Sequence, residues 1–171
     1  MTAFKHIFST LLSLCVLLLF SCSKDGDFNY AKNCLETVQK EFDSGSSDFS
    51  LDMLSYAYNY FNGHTNQDMG AWAHYLNAVV RRKAGLGSDS EWYDDLVKGC
   101  EHVSKTNNHQ LASDLFLAYG LADIDHRWYE ASLPLFRRSL EEAAVCGNVR
   151  NQVLSLMNIS RAYMLGAIGN N

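Results

Sequence analysis

From residue 28 onward, apolar residues recur at steps of three and four along most of the chain. That is the period of one face of an α-helix. In 28–42 the step is kept by Ala31, Cys34, Leu35, Val38 and Phe42. The polar run Asp43–Ser50 interrupts it and predicts a loop. Leu51, Leu54, Tyr58 and Phe61 predict a second helix, stopped by Asn62 and Gly63. A third is expected over Asn66–Ala84, ended by Gly85, Leu86 and Gly87. Ser88 with Glu91 forms a capping box for a fourth, which carries Leu96, Cys100 and Val103. Asn107 with Gln110 predicts a second box and a fifth helix. A sixth spans about Trp128–Cys146, is capped by Gly147, and gives way to a seventh opened by Asn148. The single proline, Pro134, falls inside the sixth helix. A proline there costs about 3 kcal/mol and predicts a bend or a frayed start. Scarce prolines and long runs without breakers make the chain all-α, with about seven helices after residue 27.

Spacing inside these helices is more specific. Phe116, Tyr119 and Gly120 are followed by Ser132, Phe136 and Ser139. Two antiparallel helices approach closely only where small residues face each other. Gly120 and Ser132 are therefore expected at the contact, with Phe116, Tyr119 and Phe136 filling the space beside it. Trp72, Tyr75, Leu76 and Val79 echo the first half of the pattern, and Leu96, Cys100 and Val103 the second. Leu156, Ile159, Ser160 and Tyr163 restart it. The pattern resembles the tetratricopeptide repeat (TPR), a helix-turn-helix unit that stacks into a solenoid. The stretch WYEASLPLF from Trp128 resembles the start of many second TPR helices.

The resemblance implies antiparallel helical hairpins stacked as a short TPR-like α-solenoid over 28–171. Its units would be about 69–106, 113–146 and an incomplete 153–171. Asp123 departs from the pattern, which expects tyrosine there. Trp72 to Phe116 is 44 residues and Phe116 to Leu156 is 40, against a usual period of about 34. In TPR proteins the first helix of each unit lines a concave groove that accepts a peptide or protein segment. Carried onto this chain, the groove positions are Ala73, Asn77, Arg81, Asp114, Leu117, Leu121, Met157 and Arg161. The other reading of these positions is ordinary packing or solvent exposure. Their aliphatic, amide and charged mixture suits an extended peptide better than a small metabolite.

The N-terminal segment is of another kind. Lys5 and His6 precede an apolar run, Ile7–Phe20, too short for a comfortable membrane span. It ends in Leu19, Phe20, Ser21 and Cys22, which resembles the lipobox of bacterial lipoproteins. The resemblance implies a signal peptide over 1–21, lipidation of the Cys22 thiol and a tether over 22–27. Several acyl chains on one residue anchor a protein stably to a membrane. Asp25 and Asp27 resemble the acidic signal of surface-exposed outer-membrane lipoproteins. The implied address is the bacterial outer membrane, on its periplasmic or outer face. A plain secretory signal and an uncleaved anchor are the other readings of the segment.

Composition narrows the function. The chain has 171 residues and a formal charge of -5, enough for one domain with a real core. A mildly acidic surface argues against nucleic acid. Arg81, Arg82 and Lys83 sit at a predicted helix C-terminus, where cations complement the dipole.

No catalytic or metal-binding constellation stands out. His64, His74, His102, His109 and His126 follow no HExxH spacing. Cys34, Cys100 and Cys146 contain no CxxC and read as thiols on apolar helix faces, with one disulfide as the alternative. The stretch Gly85–Ser88 lacks the lysine and preceding strand of a phosphate loop. The aromatic cluster Tyr56, Tyr58, Tyr60 and Phe61 reads as helix packing rather than a sugar platform. No cofactor and no metal are expected.

The resulting expectation is a lipid-anchored, non-enzymatic interaction module for a protein or peptide partner. One alternative is a glycan-binding lipoprotein, similar to starch-binding outer-membrane lipoproteins that carry TPR helices. Another is a sensory fragment of a larger TPR-containing signalling protein. In the seventh helix, Leu154, Leu156, Met157, Ile159, Tyr163, Met164 and Leu165 spread around much of the surface. This predicts an open apolar face that binds another chain, possible self-association included, or a product shorter than its relatives.

Overall fold

The computed structural model of the chain describes residues 26–169. The expected signal peptide and the lipidation at Cys22 lie outside the described residues. Within them the protein is all-helical, with no strand. The helices are α1 (26–43), α2 (Leu51–Asn62), α3 (Gln67–Lys83), α4 (Asp89–Val103), α5 (His109–Asp125), α6 (Tyr129–Cys146) and α7 (Val149–Gly169). None of the described helices is long and apolar enough to cross a membrane.

Local chemistry fixes the helix ends. Asn66 caps α3 by accepting from the Met69 N–H at 3.1 Å. Ser88 and Glu91 form the full reciprocal capping box at α4. The start of α5 lies one residue later than the Asn107–Gln110 reading. Asn108 is the cap, its side chain accepting from the Leu111 N–H at 3.2 Å. Thr106 Oγ1 holds the Asn108 N–H at 3.2 Å, which fixes that frame. Asn148 caps α7 by accepting from the Asn151 N–H. Such a cap contributes about 1 kcal/mol.

Four C-termini close the same way. At α1, Ser46 N–H reaches the Glu41 carbonyl and Gly45, at φ 78°, that of Phe42. At α3, Leu86 N–H reaches the Arg81 carbonyl and Gly85 N–H that of Arg82. At α6, Asn148 reaches Ala143 and Gly147 reaches Ala144. These are Schellman closures, and they need a left-handed residue. Gly85 (φ 69°) and Gly147 (φ 72°) supply it. At α5 the same two bonds run from Trp128 to Asp123 and from Arg127 to Ile124. Arg127 holds φ 63° there, the one described non-glycine residue at positive φ.

Consecutive helices pair into hairpins α1–α2, α3–α4 and α5–α6, and α7 lies against α6. Helices α3 and α5 are each shared between two neighbouring cores. On α3, Ala73, Leu76 and Val80 join α1 and α2 in the first core, while Ala71 and Ala78 join α4 and α5 in the second. On α5, Leu111, Ala112, Leu115 and Ala122 face the second core, while Leu117 and Ile124 enter the third with Phe136 and Ala162. α3 packs along α5 and α5 along α7, but α4 and α6 make no close backbone contact. The inner row is tighter than the outer, so the array curves toward the odd-numbered helices. This is an α-solenoid-like arrangement.

The closest approach is between α5 and α6. A Cβ on Gly120 would meet the Phe136 ring at 2.6 Å. Phe136 is fully buried, and burial of such a ring contributes about 2 kcal/mol. Ser132 and Ser139 are buried on the same helix. Ser139 donates to the Ser113 carbonyl at 2.8 Å and accepts from Ser155 at 2.9 Å, joining α5, α6 and α7.

The three described cysteines are free thiols. Cys34 and Cys100 are buried, and burial pushes the Cys100 thiol up to about 12. Cys146 departs from the packing expectation: it is exposed at the last turn of α6, where the helix outruns the core. Leu51 is likewise exposed at the first turn of α2. The cations at the end of α3 make tertiary contacts. Arg82 pairs with Asp125 and lies over the Trp92 ring at 4.7 Å. Lys83 lies 5.3 Å above Phe42 and 5.4 Å above Phe49.

Candidate functional site: a groove lined by alternate helices

Trp72, Tyr75 and Val79 step by three and four along α3, so they share one face. All three border a groove of about 1180 Å³. α1 supplies Gln39, Phe42 and Asp43 to its wall. α5 supplies Asp114, Leu117 and Leu121, and the first turns of α7 supply Val149, Arg150 and Leu154. Thus all four odd-numbered helices line the groove. The even-numbered ones contribute only Cys146, at the end of α6.

The polar groups are held in place. Trp72 Nε1 donates to Gln39 Oε1 at 2.9 Å, fixing the indole against α1. Gln39 Nε2 donates to Asp43 Oδ1 at 2.9 Å. Asp114 accepts from Asn151 Nδ2 at 2.6 Å and from Gln110 Nε2 at 3.0 Å. Asp68, in the first turn of α3, has a buried Oδ1 with no hydrogen-bond partner. Burial raises the Tyr75 hydroxyl well above its ordinary value, the charges of Asp114 and Asp43 add to this, and Arg150 opposes them.

The expected groove residues divide. Asp114, Leu117 and Leu121 line it. Ala73 is buried in the first core. Asn77 is buried and donates to Asp95 Oδ2 at 2.6 Å. Arg81 lies 3.9 Å from Glu91, away from the groove. Met157 is exposed on α7, as is Arg161, but the helix meets the groove only near its start. On α3 the reason is angular. Successive residues are about 100° apart around a helix, so Trp72 points into the groove and Ala73 into the core. The aromatic pair Trp72 and Tyr75 was the available signal, but partly buried aromatics at helical spacing read equally well as packing.

A second polar cluster is closed off. Asp95, 5% exposed, accepts from Tyr58 Oη at 2.9 Å, His74 Nδ1 at 2.7 Å and Asn77 Nδ2 at 2.6 Å. His74 Nε2 is buried without a partner. The His74 ring stacks on His102 with centroids 5.5 Å apart, and His102 Nδ1 donates to Gln67 Oε1 at 2.8 Å. Desolvation, His74 and Lys105 lower the His102 pKa. No member of the Asp95 cluster lines the groove. It ties α2, α3 and α4 together.

Asp123, where the resemblance to TPR units expects tyrosine, accepts from Tyr93 Oη of α4 at 2.9 Å. Burial raises its carboxyl, partly offset by that bond and by His126. Tyr93 thus brings a phenol to this place from the neighbouring hairpin. Beside it, half-exposed Trp128 stacks on His126 at 4.8 Å.

Among the described residues, no three His, Cys, Asp or Glu side chains converge closely enough to hold a metal ion. No known protein family, curated protein or solved structure matches the chain.

Proposed function

We propose that this protein is a non-enzymatic TPR-type module that binds an extended peptide or protein segment in the groove of its odd-numbered helices. The observation that carries the reading is the convergence of α1, α3, α5 and α7 on one groove. An elongated, partly apolar channel with fixed polar groups suits a chain-like ligand, whose backbone needs hydrogen bonds along its length. The spacing of Gly120, Ser132 and Phe136 supports the TPR assignment, since Gly120 and Phe136 meet at the α5–α6 contact and Ser132 is buried on the same helix as Phe136.

The test is selection of a displayed random peptide library on the full chain in detergent. Bound peptides should lose at least tenfold in affinity with Leu121→Arg, about 1.4 kcal/mol, while helical content is kept. Enrichment of no peptide, with a shift of tryptophan fluorescence by oligosaccharides instead, would replace this reading with the glycan-binding one.

The address belongs to the same proposal. A lipid on Cys22 would hold the module at the bacterial outer membrane, on its periplasmic or outer face. Cys22→Ser should move the protein from the membrane fraction to the soluble one. Retention in the membrane would identify an uncleaved anchor.

One observation favours a further contact. On α7, Val149, Val153, Leu156, Met157, Tyr163 and Met164 are all at least half exposed. Contiguous apolar surface of this kind marks an interaction face. The reading is self-association through α7. Sedimentation of the full chain should show an oligomer that Met157→Glu dissociates, and a monomer at all concentrations would remove it.

A further inference from the structure

We propose that the segment bound in the groove is basic, presenting a lysine or arginine side chain between α1, α3 and α5. This rests on the peptide-binding reading above and names the chemistry of its ligand.

The charge along the groove is unbalanced. Its lining holds three carboxylates, Asp43, Asp68 and Asp114, against one guanidinium, Arg150. Each carboxylate comes from a different element: the end of α1, the start of α3 and the second turn of α5. None of the three, nor Arg150, belongs to an ion pair among the described residues. Elsewhere on the molecule acidic residues do find cations, as at Arg82 with Asp125 and Arg138 with Glu142. The groove therefore keeps negative charge that the fold leaves uncompensated. Asp68 Oδ1 is the sharpest instance: a carboxylate oxygen that is buried and accepts nothing. Leaving such an atom unpaired costs about 1–3 kcal/mol or more.

The walls suit the rest of a basic side chain. Lysine and arginine lay apolar stems on apolar surface and carry the charge at the tip. Val79, Leu117 and Leu121 provide that surface, beside the Trp72 and Tyr75 rings. Among the described residues the Tyr75 hydroxyl has no hydrogen-bond partner. As a neutral phenol it can accept from an ammonium or guanidinium. A single small cation fits less well, because no three metal-ligating side chains converge among the described residues.

Selection of the random peptide library on the full chain in detergent tests this directly. The expected result is enrichment of Lys or Arg at fixed positions beside an apolar residue. A synthetic peptide of the selected sequence should weaken as salt rises. It should weaken about tenfold with the double change Asp43→Asn and Asp68→Asn, and tighten with Arg150→Gln. Asp43 and Arg150 are exposed, so their substitution leaves the core untouched, and the Arg150→Gln arm stands even if Asp68→Asn misfolds. Selected peptides that are neutral or acidic, or that bind equally well after Lys and Arg are replaced by Gln, overturn this inference while leaving peptide binding intact. Selection of no peptide overturns both.

Discussion

In the α3–α4 hairpin the join is polar: Asp95 is buried among Tyr58, His74 and Asn77. In the α5–α6 hairpin it is steric: Gly120 leaves room for the Phe136 ring against α5, with Ser132 and Ser139 buried on the same helix as that ring. The small residue also changes sides. Gly99, on the second helix of the earlier hairpin, receives Leu115 from α5 and the Cβ of His74. A buried hydrogen-bonded carboxylate fixes orientation but depends on every partner, because a charge left alone in the interior is costly. A glycine–aromatic contact depends on volume alone. The two hairpins should therefore fail in different ways.

The largest effect is expected in the polar hairpin. Asp95→Ala strips Tyr58, His74 and Asn77 of a common acceptor and should destabilise by about 3–5 kcal/mol in urea unfolding. A loss below about 1 kcal/mol would mean that apolar packing alone holds α3 to α4, and the contrast would disappear. Next comes Gly120→Leu, which forces atoms into the Phe136 ring and should cost about 3 kcal/mol. Pairing it with Phe136→Ala should recover part of that loss, as steric coupling requires. Strictly additive losses would show that the contact is not steric.

A smaller, opposite change is expected at the end of α5. Arg127→Gly should stabilise by about 0.5–1 kcal/mol, because glycine adopts φ 63° without strain. A lower melting temperature for this variant would show that the Arg127 side chain contributes more than its backbone costs. The smallest effect is a pH dependence. His102 has a folded pKa below its ordinary 6.5, so the unfolded chain binds the proton more tightly. Stability is full above about 6.5 and falls as pH drops toward the lowered folded value. His102→Gln should flatten this slope. An unchanged slope would assign the acid sensitivity to other groups.

Much of the secondary structure was legible in the sequence. The capping box at Ser88, the stops at Gly85 and Gly147 and the caps at Asn66 and Asn148 act through neighbours within a few residues. Such signals survive without knowledge of the fold. The end of α5 carries no glycine, and its closure at Arg127 is invisible to the same rule. Gly120 with Phe136 was also readable, since a small residue opposite a large one leaves a spacing signature. The groove was only half readable. Asp114, Leu117 and Leu121, expected from the TPR resemblance, line it, but on α3 the lining is Trp72, Tyr75 and Val79.

Helical periodicity states that a face is apolar, not which neighbour it meets. α3 carries two such faces, one toward α1 and α2 and one toward α4 and α5. The groove lies along the seam between them. Local sequence therefore determined the helices, most of their ends and the α5–α6 contact. Only the stacking of α1, α3, α5 and α7 decided which residues meet across the groove, and it gathered Asp43, Asp68 and Asp114 from separate helices. Charges so far apart in the chain carry no joint signal until the backbone rotation of each helix is fixed by its packing.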